Sequence, residues 1–248
     1  MKKVFGFIGS PLKEKSNTYT LTKMMLDKLL EMDPGISHEI LTAGHVNISY
    51  CKGCWSCMTK GHESCPLDKK DDMGILKRKM LGADFIIWGS PIYTAHMSGQ
   101  MKTFLDRLAA WYHLMRLSGK PGLTVITTGS TFQEELHDFF GQLMGCLGIK
   151  VIARLDTVAY TPGVFRNPDL ARARAEEAAK IIYPYITGEK TVCSDNDMEG
   201  YFLAMKEKVV SGKKWLKGDY EYWETNNMLE LDSYATLLEK NRKAASPI

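Results

Sequence analysis

DFIIWGSPIYTAHMSGQMKTFLDR, residues 84–107, carries a buried strand, a loop and a capped helix in one run. Asp84 to Trp88 reads as a strand, because its apolar run is short, rich in β-formers and stopped by glycine. GSPIYTAH follows as a loop. Ser98 then caps a long helix on which Met101, Phe104, Leu105, Leu108, Tyr112 and Met115 recur at helical spacing. The same tripeptide, Gly9-Ser10-Pro11, ends an earlier apolar run, Val4 to Ile8. Two strands that end alike, each followed by a helix, point to repeated strand–helix units and so to a parallel sheet.

The rest of the chain keeps this alternation. After the loop GSPLKEKSNT, a helix from about Thr18 to Met32 sets Leu21, Met25, Leu29 and Met32 on one face, and Asp33-Pro34-Gly35 stops it. A weak strand at His38 to Leu41 leads into a cysteine-rich loop. Asp71-Asp72-Met73 opens the next helix, with acidic residues where the amide dipoles favour negative charge, and Gly82 ends it. Leu123 to Thr127 is a strand, TGSTFQ a loop, Glu134 to Leu147 a helix, Val151 to Leu155 a fifth strand, and Asp169 to Tyr185 a closing helix. Five strands alternating with five helices require right-handed crossovers and a sheet covered on both faces. The expected fold class is therefore α/β, a flavodoxin-like doubly wound sheet of order 2-1-3-4-5 with a mainly helical C-terminal extension. In that order the first and third strands are neighbours, so the two GSP loops meet where ligands bind, beyond the carboxyl ends of the strands.

Composition narrows the function classes. A chain of 248 residues with 44% hydrophobic content suits a soluble globular protein with a sizeable core. The start, MKKVFGFIG, imitates a signal peptide, but its apolar run breaks short of the roughly 7–15 residues needed. No run is long enough to span a bilayer. The expected location is the cytoplasm, where the six cysteines read as ligands or free thiols, not disulfides. The net charge of +3 is too small and scattered to argue for nucleic acid. Up to Gly188 there are 23 basic and 18 acidic residues, against 9 and 11 after it, a distribution that suits a phosphate-bearing ligand on the first part.

The first loop offers Ser10, Ser16, Asn17 and Thr18 just before a helix start, which supplies hydroxyls, an amide and free backbone N–H groups for a phosphate monoester. A plain helix cap would need one such residue, not three with a further serine at the strand end. No G-x-G-x-x-G follows a strand and no G-x4-G-K-S/T occurs, so neither a dinucleotide fingerprint nor a P-loop is supported. The loop CKGCWSCMTKGHESCP, residues 51–66, holds Cys51, Cys54, Cys57 and Cys65 in the spacing C-x2-C-x2-C-x7-C, with proline directly after the last. Three thiols at every third position can wrap a cubane cluster, with Cys65 closing the same site. Zinc is the rival metal, although structural zinc usually takes two separated pairs, and four bare reduced thiols is the third reading. His96, His137 and Trp55 read more readily as structural or surface residues than as proton sources.

These stretches together resemble the NAD(P)H-dependent FMN reductase group of flavodoxin-like proteins and, within it, the iron-sulfur flavoproteins. GSPLKEKSNT, the cysteine run followed by CPLDKKDDM, GSPIYTAHMSGQMKTFLDR and the TTGS loop carry the resemblance, from about Lys3 to Leu155. It implies FMN, with the phosphate on Ser10, Ser16, Asn17 and Thr18, the ring along Pro91, Ile92 and Tyr93, and its other side near Thr128, Gly129 and Ser130. It also implies homo-oligomers, a homodimer or homotetramer, with flavins close to subunit contacts. Hydride transfer from NAD(P)H to flavin needs stacked rings in a dry site more than a protein acid or base, so no dedicated catalytic residue is expected. The expected activity passes electrons from NAD(P)H through FMN, with a [4Fe-4S] cluster, to a small acceptor or redox protein. The alternative is an electron-transfer flavoprotein fed by a ferredoxin-like partner.

Two domains are expected, residues 1–188 with the flavin and residues 189–248 outside the resemblance. Met198, Phe202, Met205 and Val209 predict an amphipathic helix in the second, and Trp215, Tyr220, Tyr222 and Trp223 are too aromatic for a disordered tail. Packing on the main domain or across a subunit contact is the expected role. Cys146, inside a predicted helix, and Cys193, in the tail, stand apart from the four-cysteine run.

Overall fold

The computed structural model of the protein describes residues 1–245; of the predicted extension, Ser246 to Ile248 lie outside the described residues. Strand β1 (Lys3–Ile8) leads through a turn of 3-10 helix to α1 (Asn17–Met32), then β2 (Ser37–Thr42), the cysteine loop with the single-turn α2 (Ser56–Thr59), and α3 (Met73–Gly82). There follow β3 (Phe85–Tyr93), the two-residue β4 (His96–Met97), α4 (Gly99–Asp106), the single-turn α5 (Trp111–Leu114), β5 (Pro121–Thr128), α6 (Gln133–Cys146), β6 (Lys150–Val158) and α7 (Pro168–Thr187). Three helices end the chain: α8 (Asn196–Ser211), α9 (Lys217–Thr225) and α10 (Tyr234–Ala245). The parallel strands run in the order β2-β1-β3-β5-β6, which is the predicted 2-1-3-4-5 arrangement once the short antiparallel β4 beside β3 is set aside.

Strand alternation sorts the core into two layers. Phe5 and Phe7 of β1, with Ile86 and Trp88 of β3, face α3, α4 and α6, where Met80, Phe104 and Phe140 are fully buried. Val4, Phe85, Ile87, Leu123 and Val125 face the other way, against Leu21, Met25 and Leu29 of α1 and the alanine stripe Ala171, Ala175, Ala178 and Ala179 of α7. Met32 departs from its expected face and is exposed as the last residue of α1, directly before the C-cap Asp33.

The long helix predicted after Ser98 is broken. Its apolar positions are buried as expected, apart from the half-buried Tyr112, but the chain bends between α4 and α5, and Met115 closes the segment in the left-handed region at φ 45°. The bend lies at Arg107, whose guanidinium is buried among carboxylates of another segment.

The C-terminal helices have a core of their own, in which Met198, Phe202, Val209, Trp223, Tyr234 and Leu238 enclose Leu114 and Met115. Tyr234 donates from Oη to the Gly148 carbonyl at 2.6 Å and accepts from the Gly119 amide at 3.0 Å, tying α10 to the base of the sheet. Each large side chain buried there contributes roughly 1.5–3 kcal/mol. Deleting residues 194–248 should therefore lower the thermal midpoint by more than about 10 °C, as followed by circular dichroism. A truncated chain that melts with the full-length protein would show that these helices contribute nothing to the main fold.

Candidate functional site

The two GSP loops meet as their positions predict. Ile8 stands in register with Gly89, and the Gly9 amide donates to the Gly89 carbonyl at 2.7 Å. Ser98 joins them, since its hydroxyl donates to the Gly9 carbonyl and accepts from the Met101 amide at 3.0 Å, so the cap of α4 is also the tie to β1. A side chain at Gly89 would put its Cβ 2.5 Å from Ile8 Cδ1 and 3.1 Å from Thr18 Cγ2. Glycine is what lets the first turn of α1 lie directly over the strand ends.

A cavity of about 390 Å³ opens there, within the usual range for small-molecule sites. It gathers nine of the ten residues expected to hold a flavin: Ser10, Ser16, Asn17, Thr18, Pro91, Ile92, Tyr93, Thr128 and Gly129. Ser130 lies outside its lining, with its amide bound to Thr128 Oγ1 at 3.1 Å. Three larger clefts, about 690, 670 and 530 Å³, lie along the amino-terminal halves of β1–β2 and of β6 and at the amino-terminal end of β5. That is the wrong end of a parallel sheet for a ligand site, so the smaller cavity is the better candidate.

The side chains at the α1 end of the cavity divide into two groups. Ser10 and Ser16 are buried, and among the described residues their hydroxyls take only long contacts of 3.4 Å from the Leu12 and Tyr19 amides. The Asn17 and Thr18 amides, first in α1, have no partner among the described residues. Hydroxyls and unpaired amides at the positive end of a 16-residue helix fit a phosphate. Thr18 and Asn17 use their side chains elsewhere. The Thr18 and Thr127 hydroxyls pair at 2.6 Å, fixing α1 to β5, and the Asn17 carboxamide donates to the Thr161 carbonyl at 2.9 Å while accepting from the Gly163 amide at 2.7 Å. That clasp holds the segment after β6, whose Ala159, Tyr160 and Pro162 form a cavity wall that sequence reasoning missed.

On the opposite wall β3 runs past the predicted strand end and turns back through Thr94 and Ala95, both left-handed, into β4. Two non-glycine residues in that region cost about 1 kcal/mol or more each. The tight hairpin sets Tyr93, half exposed, at the cavity mouth. His96 is exposed and packs edge-on to Phe139 with ring centroids 5.0 Å apart, while His137 is buried with Nδ1 2.6 Å from Thr124 Oγ1, a structural contact between α6 and β5.

The cysteine loop leaves the same carboxyl edge, after β2. Its neck is stitched from both sides. Asn47 exchanges its amide with the Asp72 carboxylate at 2.7 Å and its carbonyl with the Asp72 amide at 3.0 Å, and the Ser49 amide donates to Asp71 at 3.0 Å. Asp71 and Asp72 thus serve the neck, and only Asp71 also caps α3, accepting from the Met73 amide at 3.1 Å. Arg107 grips the whole assembly, donating to the Ser49 carbonyl at 2.9 Å, to Asp68 at 2.7 Å and to Asp71, while Lys77 reaches Asp68 at 2.6 Å. The Arg107 and Asp71 side chains are each 1% exposed, so this is a buried network. Burial by itself would lower the guanidinium's proton affinity, but Asp71 and Asp68 outweigh it and push it up.

Within the loop the backbone turns through the left-handed region at Gly53 and again at Trp55, an exposed residue. Cys51 and Cys54 are exposed, and Cys57 and Cys65 are half buried. Ser56 lowers the Cys54 thiol through its amide and hydroxyl, whereas burial, then the neighbouring Cys65 thiol, raises that of Cys57. Arg107 Nη2 lies 3.8 Å from Cys65 Sγ, a charge complementary to a thiolate. Among the described residues no three of His, Cys, Asp and Glu stand close enough together to hold a metal ion. By chemistry the four-thiol donor set fits an iron-sulfur cluster. Cys146 ends α6 and Cys193 is exposed in the tail, both away from this loop in sequence.

An open parallel sheet of this order, with a phosphate-suited helix start facing an apolar strand end across the switch point, defines a flavodoxin-like flavoprotein. The chain belongs to the NADPH-dependent FMN reductase family, whose model matches residues 2–155, and is an oxidoreductase of that family. An iron-sulfur flavoprotein of Archaeoglobus fulgidus is 29% identical over 233 residues, which span 92% of this chain and the whole of that protein. Another, of Methanocaldococcus jannaschii, is 33% identical over 144 residues, 56% of this chain and 71% of that one. The first match takes in most of residues 189–248, so the extension, expected to stand outside the resemblance, is shared with a relative. Among solved structures, an apo NADH:FMN oxidoreductase matches 80% of this chain and 94% of its own with a TM-score of 0.53 at 19% identity. An FMN-dependent NADH-azoreductase of Bacillus anthracis, in complex with FMN, matches 73% and 100% with 0.54 at 13%. At these identities the likeness is one of fold. Among the described residues no helix is long and apolar enough to cross a membrane.

Proposed function

We propose that the protein takes hydride from NAD(P)H onto FMN bound at the switch-point cavity and passes electrons, through a [4Fe-4S] cluster on Cys51, Cys54, Cys57 and Cys65, to a small acceptor or redox protein. The observation that carries this reading is the placement of both features on one edge of the sheet: the cavity between the GSP loops and, after β2, the four-thiol loop. Bound flavin accepts electrons in pairs and releases them singly, and a cluster takes them one at a time.

The protein's part is to bind, orient and exclude water. Ser10 and Ser16, with the Asn17 and Thr18 amides, hold the phosphate. Pro91, Ile92 and Tyr93 give the ring an apolar wall, and Thr128, Gly129 and the Asn17-held segment close the other side. Arg107 keeps the neck of the cysteine loop fixed and sets a positive charge beside Cys65. Residues 1–188 form the flavin domain and residues 189–248 an extension. The exposed Leu203, Val210 and Trp215 of the extension support a role at a subunit contact in a homo-oligomer. A cytoplasmic setting suits thiols that must stay reduced.

Anaerobically purified protein should contain FMN and about four irons per chain, and should oxidise NAD(P)H in the steady state. Cys54→Ser should lose the iron and keep the flavin. Flavin and iron present without NAD(P)H turnover would replace the reductase with a carrier fed by a redox protein. Zinc, or no metal, after anaerobic handling would remove the cluster and leave an FMN reductase.

A further inference from the structure

We infer that helix α9 is a clamp on the cysteine loop, and that Gly218 and Tyr222 are positioning residues for the four-thiol site. The inference rests on the reading of those cysteines as ligands. Seven residues separate Cys57 from Cys65, a span that would let the last thiol wander if only its ends were fixed. The middle of that span lies on α9. A Cβ at Gly218 would stand 2.2 Å from the Gly61 amide nitrogen and 2.6 Å from its Cα, so the two backbones touch with no room for a side chain. One turn on, the Tyr222 ring meets His62 edge-on with centroids 5.1 Å apart. Tyr222 is held in turn by Arg116, whose guanidinium lies 5.3 Å from the ring centroid and donates to the hydroxyl at 3.3 Å.

The clamp is built on a fixed base. Trp223 is fully buried and donates from Nε1 to the His113 carbonyl at 2.8 Å, and Asp219, also fully buried, meets His113 Nδ1 at 2.7 Å. These contacts fasten α9 to α5, whose His113 lies six residues beyond Arg107, so one segment of chain anchors both the neck of the loop and the clamp on its middle. Inside the loop the Ser64 hydroxyl lies 2.6 and 2.7 Å from the Ser56 and Gly61 carbonyls and shares its one proton between them, so restraint applied at Gly61 reaches both flanks of the span. A C-terminal extension that does not reach the flavin cavity thereby acts on the thiols.

The test uses full-length protein purified anaerobically, with Gly218→Val, Tyr222→Ala and, as control, Leu170→Ala at a residue of α7 that is 47% exposed. Three quantities are read: flavin content, the rate of iron loss to a chelator, and the rate of Cys57 alkylation by iodoacetamide in metal-free protein. Gly218→Val and Tyr222→Ala should each speed iron loss by about tenfold and Cys57 alkylation to a similar degree, with flavin content and the control unchanged. Wild-type rates in both variants would overturn the clamp. Should Gly218→Val fail to fold, Tyr222→Ala, which removes a contact without adding volume, decides. Absence of iron from the wild type would defeat the cluster reading alone, and the alkylation rates would then decide the clamp.

Discussion

Replacing Arg107 by leucine should destabilise the protein by about 3–5 kcal/mol, the usual result of removing one member of a buried ion pair and leaving the other charged. The carboxylates of Asp68 and Asp71, buried to 13% and 1% exposure, would lose their shared cation, and the Ser49 carbonyl its donor. The thermal midpoint should fall by about 10 °C. The pH dependence identifies the cause. Burial alone would raise the Asp71 carboxyl, but the Arg107 guanidinium and the Ser49 and Met73 amides outweigh it and hold it below the ordinary range. A carboxylate depressed by folding stabilises the chain above its unfolded pKa, about 3.9 for aspartate, and that contribution is lost as pH falls through the lower folded value. The gap between wild type and Arg107→Leu should therefore be full near neutrality and narrow below about pH 4, as measured by denaturant unfolding across pH. A gap that is constant down to pH 2 or so would mean that the side chain acts through packing alone.

The second large effect concerns the flavin. Ser10→Ala with Ser16→Ala removes two hydroxyls from the phosphate end of the cavity. Hydrogen bonds to a charged group are worth about 1.5–3 kcal/mol each, so FMN should bind about a hundredfold to ten-thousandfold more weakly. Ser16 also caps α1, and its loss costs about 1 kcal/mol of stability. Affinity is accordingly measured by fluorescence titration at a temperature where the variant is fully folded. Asn17 and Thr18 are poorer choices, because their side chains hold the cavity walls and their substitution would mix binding with architecture. Wild-type affinity in the double variant would place the phosphate elsewhere.

The sheet was legible because its information is local. Short apolar runs alternating with helical periods gave the strands, the repeated GSP gave the switch point, and the resemblance gave most of the cavity lining. Ser98 could be read as a cap from its place before an apolar period. What could not be read is what depends on partners far along the chain. The predicted helix through Met115 kept a clean apolar period, yet it bends where Arg107 turns inward to carboxylates 36 and 39 residues away, and periodicity has no term for that. Asp71 and Asp72 looked like helix-dipole residues because their neck partners, Ser49 and Asn47, are non-local. The Thr94–Ala95 hairpin lacks the Asn-Gly or Asp-Gly that marks such turns. Asn17 read as a phosphate ligand because nothing nearby reveals a clasp to Thr161 and Gly163, more than 140 residues on.

That clasp separates two kinds of change in the gene. Asn17 grips only the Thr161 carbonyl and the Gly163 amide, so the side chains of this segment are free to differ without loosening the wall they belong to. Tyr160 and Val164, at 60% and 47% exposure, sit on this stretch with Pro162 between them. Variation there would alter the mouth of the cavity while leaving the sheet, the α1 end of the cavity and the thiol loop untouched. A library confined to Tyr160 and Pro162, which line the cavity, would reshape that wall alone.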